Sequence, residues 1–105
     1  MNNDIKQFVE KIIREAGLDN MPEEFKEEYR EKMILEAEKR MGIVTLKHLN
    51  ESQAKELAKI VEKNSNNPDK INDFLEKNIK NYKELMVEAL KEFAQEVISA
   101  AQKIS

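Results

Sequence analysis

Two glycines and two prolines are all the punctuation in this chain of 105 residues, and that scarcity constrains its fold more than any other feature. Short strands joined by hairpins need a turn residue every few positions. Gly17, Pro22, Gly42 and Pro68 are too few and too widely spaced to supply them. Long helices have no such need, and the apolar residues fall at helical spacing. Ile5, Phe8, Val9, Ile12, Ile13 and Ala16 make one stripe, which predicts a first helix closed by a left-handed Gly17, with Leu18 folding back onto its last turn.

The same logic places four more helices. Asn20 and Glu23 have the spacing of a capping box, with Pro22 in the first turn, and Phe25, Tyr29, Met33, Ala37 and Met41 then step by four. Ile43, Val44, Leu46 and Leu49 carry apolar character past Gly42. A second helix is therefore expected to continue, or kink briefly, towards residue 48. Asn50 to Gln53 is a second capping box, opening a third helix with Leu57, Ile60 and Val61 on its apolar side. Asn64 to Pro68 reads as a loop, and Pro68 as the first residue of a fourth helix capped by Asn67. Ile71, Phe74 and Leu75 should face inward there, with a break at Asn78 to Asn81, Ile79 tucked into the core, and Asn81 paired with Glu84 at the next cap.

The fifth helix, from about Tyr82 to near the C-terminus, is the most apolar. Met86, Leu90, Phe93, Val97, Ala100 and Ile104 step alternately by four and three, a heptad row, and Leu85, Val87, Ala89, Ala94, Ile98 and Ala101 widen it. So broad a stripe does not suit a two-stranded zipper. It is either covered on two sides within its own bundle or shares a face with a second copy. The expected architecture is all-α, one domain over residues 1–105, a compact bundle of about five helices with a long C-terminal helix.

Composition separates this reading from disorder. Charged residues make up 37% and apolar residues 40%, but the net charge is only −3. A nearly balanced, periodic chain folds where a strongly charged, aperiodic one does not. A domain of this length buries about two thirds of its unfolded surface, enough for one modest core. With no cysteine there is no disulfide, thiolate nucleophile or cysteine-ligated metal. No apolar run reaches membrane-spanning length, and Met1 to Lys6 lacks a signal-peptide pattern, so the expected setting is cytoplasmic with no membrane partner.

Reactive constellations are hard to assemble. His48 is the lone histidine and reads as a partly exposed residue near a helix end. Glu23, Glu24, Glu27, Glu28 and Glu31 crowd one helix start, where they favour the dipole and are compensated by Lys26 and Arg30. Two isolated glycines make no phosphate loop. No catalytic residue, metal site or cofactor is therefore expected. The middle of the chain is mildly basic, with Lys55, Lys59, Lys63, Lys70, Lys77, Lys80 and Lys83. Nucleic-acid binding needs a denser basic footprint, and Pro68-Asp69 followed by Asp73 would repel DNA from a would-be recognition helix. The favoured expectation is a non-enzymatic protein–protein interaction or assembly module. Met86, Leu90, Phe93, Val97, Ala100 and Ile104 are its candidate interface, with a protein partner or a second copy as homodimer. The alternative is a weakly RNA- or ribosome-associated protein using the Lys55–Lys83 face.

Three segments carry a resemblance: Ala16-Gly17-Leu18, Leu46-Lys47-His48-Leu49-Asn50-Glu51-Ser52-Gln53, and Phe74-Leu75-Glu76-Lys77-Asn78-Ile79 through Leu90. Over roughly residues 8–95 the chain resembles a domain-of-unknown-function family of small helical proteins from candidate-phylum bacteria with reduced genomes. Lys80 stands where that family tends to have a proline after the isoleucine. The resemblance implies a helical fold in a cytoplasmic bacterial setting and brings no assigned activity or site residues.

Overall fold

The computed structural model describes residues 2–64 and 67–104, except the side chains of Asn2, Asn3 and Ile104. Five helices, and no strand, occur among the described residues: α1 (Asn2–Glu15), α2 (Glu23–Lys47), α3 (Glu51–Lys63), α4 (Pro68–Asn78) and α5 (Tyr82–Ile104). The all-α bundle with a long last helix is what forms.

The helix boundaries show which local signals decide. Gly17 has φ +76°, Leu18 donates its N–H to Ile13 at 2.9 Å and Gly17 donates to Arg14 at 3.0 Å. This is the double-bonded glycine stop that closes α1. The capping box at α3 is reciprocal: Gln53 N–H donates to Asn50 Oδ1 at 2.8 Å and Asn50 N–H to Gln53 Oε1 at 3.0 Å. The box expected at Asn20 does not form. Pro22 is the residue before α2 and makes no side-chain cap bond. A residue preceding proline is driven out of the α region, so Met21 cannot open a helix and α2 begins only at Glu23. Asn67 sits at the cap of α4 with Pro68 in the first turn, but its side chain makes no capping bond. Asn81 adopts φ 61°, and its carbonyl accepts the Leu85 N–H at 3.0 Å, so it turns the chain into α5 by its backbone. Asn tolerates that region better than other non-glycine residues. The Asn64–Pro68 loop is described only at its ends, since Ser65 and Asn66 lie outside the described residues.

The core is a three-helix affair. Val9, Ile12 and Ile13 of α1, Met33 and Ala37 of α2 and Phe93 of α5 are all buried to 4% exposure or less. Ile5, Phe8, Leu18, Tyr29, Ile34, Leu90, Ala94 and Val97 pack around them. Two arginines clamp its rim. Arg30 ion-pairs with Glu10, tying α2 to α1, and Arg40 pairs with Glu96, tying α2 to α5. Arg40 also reaches Glu36 at 3.4 Å and lies 5.1 Å over the Phe93 ring. The hydrogen bonds to Glu10 and Glu96 raise the pKa of these two guanidiniums above its ordinary value. The α3–α4 hairpin joins this core through α4, which packs on α5, while α3 packs on α4; Leu75 of α4 and Ile79 just after it are buried. All residues of α3 are half-buried or exposed. The body is accordingly elongated, 46 × 24 × 17 Å with a radius of gyration of 15.7 Å. A compact chain of this length has about 13 Å.

Candidate functional site: a notch at the start of the last helix

The heptad row of α5 faces inward over its first half. Phe93 is 4% exposed and Met86 8%, while Leu90 and Val97 pack against the core cluster. Of the two ways to cover the stripe, α5 uses its own bundle from Met86 to Val97. Met86 and Phe93 are thus buried within the chain, while Leu90 and Val97 remain half-buried. Ala100 is exposed, and the side chain of Ile104 lies outside the described residues. Ala100 borders a groove of about 590 Å³ whose walls include Arg40, Glu92, Glu96 and Lys103. Those walls are charged, and Arg40 and Glu96 already pair with each other.

A different surface lies between α1, α2, α4 and α5, a cleft of about 490 Å³. Met41 of α2 and Met86, Val87 and Leu90 of α5 line it, together with Ile5 from α1 and Pro68 from α4. Val87 is 52% exposed, a branched aliphatic left in contact with water. Exposed Asp4, Glu38 and Lys83 also border the cleft, so its walls combine both signs of charge with an apolar lining. Tyr82 closes one end. Burial pushes its phenol pKa above the ordinary 10.0, partly opposed by a hydrogen bond with Thr45. Thr45 is itself buried, at 6% exposure, and donates to the Met41 carbonyl at 2.8 Å.

The other sequence candidates fall elsewhere. His48 is exposed at the end of α2, with Nδ1 2.9 Å from the Val44 carbonyl. Glu23, Glu24, Glu27, Glu28 and Glu31 are exposed along α2, and Glu23 pairs with Lys26 at 3.0 Å. No group of three or more His, Asp or Glu side chains among the described residues converges as a metal would require. Lys55, Lys59 and Lys63 are exposed on α3, Lys55 being 3.6 Å from Glu51, while Lys83 lies 3.4 Å from Glu76. No helix among the described residues is long and apolar enough to cross a membrane.

Sequence reasoning missed the notch. In the sequence Met41 falls on the apolar row of the second helix, Met86 in the candidate interface row, Val87 in a widened stripe, and Pro68 at a helix start. Nothing in the linear pattern brings the first turn of α4 beside the first turns of α1 and α5.

The family of proteins of unknown function DUF5663 matches residues 12–97. The chain belongs to that family. No curated protein and no solved structure matches it.

Proposed function

We propose that this protein is a non-enzymatic interaction module that seats an apolar helix of a partner protein in the notch between α1, α2, α4 and α5. The observation that carries the reading is Val87, half exposed beside Met41, Met86 and Leu90 in a cleft of about 490 Å³. Peptide-binding grooves of this kind pair an apolar floor with sparse charge at the edges, which sets the orientation of the guest. Methionine suits such a floor because its unbranched thioether adapts to whatever side chain enters. The RNA reading has less support, since Lys55 and Lys83, at the two ends of the basic face, already have carboxylate partners.

Site-specific photo-crosslinking tests the proposal. A photoreactive residue at Val87, introduced in host cells, is expected to give one discrete protein adduct, whereas the same residue at exposed Gln95 gives none. With that partner purified, Val87→Asp should weaken binding at least tenfold while leaving the thermal midpoint nearly unchanged. Equal labelling from both positions, or none from Val87, would sink the idea.

A further inference from the structure

The α3–α4 hairpin is joined to the rest of the chain by two short links, residues 48–50 and 79–81. The links lie side by side, because Gln53 Nε2 at the start of α3 donates to Asn78 Oδ1 at the end of α4, at 3.3 Å. The body side of this junction is fixed. Tyr82, which follows the left-handed Asn81, is held to α2 by its hydrogen bond with Thr45. Glu76 and Lys83 also pair across the second link at 3.4 Å, close to the junction.

Burial falls along one face of α4 with distance from the links. Pro68, Ile71, Asn72 and Leu75 share that face by their spacing. Ile79 in the link is 3% exposed and Leu75 7%, while Ile71 and Asn72 are half-buried and Pro68 is exposed. Pro68 and Asn72 line the notch together with Met86 and Val87 of α5. The gradient has the form of a wedge, shut near the links and open at the first turn of α4. The face itself carries no charge, since Asp69, Lys70 and Asp73 fall on the other side of the helix and are exposed.

We propose that α4, carrying α3 with it, is a hinged lid that pivots at residues 48–50 and 79–81 and closes its Pro68–Leu75 face over Val87. Two short links side by side define one hinge axis, and the absence of buried residues from α3 leaves little to resist rotation. Closure is favoured because it takes Val87, now 52% exposed, out of water with Pro68 and Ile71. The open form described above and the closed form exchange in the free protein, and a guest selects the open one. As a gate the lid rests on the binding role given to the notch. The closure itself does not, and it is tested on the protein alone.

With no cysteine in the sequence, nitroxide labels can be placed at chosen pairs of exposed positions. Asp69→Cys with Lys91→Cys spans the wedge, and Lys55→Cys with Lys77→Cys lies within the hairpin. Double electron–electron resonance is expected to give two distances for the 69–91 pair and one for the 55–77 pair. Val87→Asp, which sets a charge under the closed lid, should lower the share of the shorter 69–91 distance by about tenfold. Val87→Leu should raise that share. A single 69–91 distance would overturn the lid, and so would two distances whose ratio ignores both substitutions. Splitting of the 55–77 distance would show the hairpin coming apart, and would overturn its motion as one rigid piece.

Discussion

At the scale of single residues, exposure separates positions that look alike in sequence. Phe93 and Ala100 belong to the same heptad row, yet Phe93 is 4% exposed beneath Arg40 and Ala100 is exposed. Phe93→Ala is expected to cost about 3–5 kcal/mol by urea denaturation. Ala100→Ser should stay within about 0.5 kcal/mol, as exposed substitutions do. Tyr82 gives a pH signature. Its proton is held more tightly in the folded state than in the unfolded one, where it leaves near pH 10.0. As pH rises beyond 10 the unfolded state ionises first, so stability falls with increasing pH in that window. Tyr82→Phe should remove this component, flattening the decline of the thermal midpoint above pH 10 relative to the unmodified protein.

At the scale of elements, the stops and starts of helices were legible where a short motif closes its own hydrogen bonds. Gly17 needs only its own left-handed φ and two backbone bonds, and Asn50 needs only Gln53 three residues on. Gly17→Ala is expected to cost about 1–2 kcal/mol because alanine must adopt the same φ. Asn50→Ala should cost about 1 kcal/mol through the lost cap. Both are measurable by chemical denaturation. The box at Asn20 failed because the spacing rule ignores the proline two residues later, which bars Met21 from the helix. Asn67 has the residue type of a cap without the bond, and nothing in the structure explains that.

Across the whole molecule, stability should be graded. The α1–α2–α5 core holds the most deeply buried residues, Val9 and Ala37 at 0%, while α3 rests on α4 without a buried residue among those described. Amide hydrogen exchange is expected to be slowest near Val9, Ala37 and Phe93 and markedly faster throughout α3. Uniform protection of α3 and the core would contradict a hairpin held only through α4.

The sequence by itself determined the all-α class, five helices and most of their ends, because helical periodicity and capping act over three or four residues and need no distant partner. It also determined that α5 has to be covered, since its apolar stripe is too wide to stay in water. Only the tertiary structure decided what covers it. Periodicity reports that a face is apolar but carries no information about which neighbour it meets. The burial of Met86 and Phe93, the notch beside Val87 and the uncovered Leu35–Gly42–Leu46 face of α2 all depend on how segments far apart in the chain pack on one another.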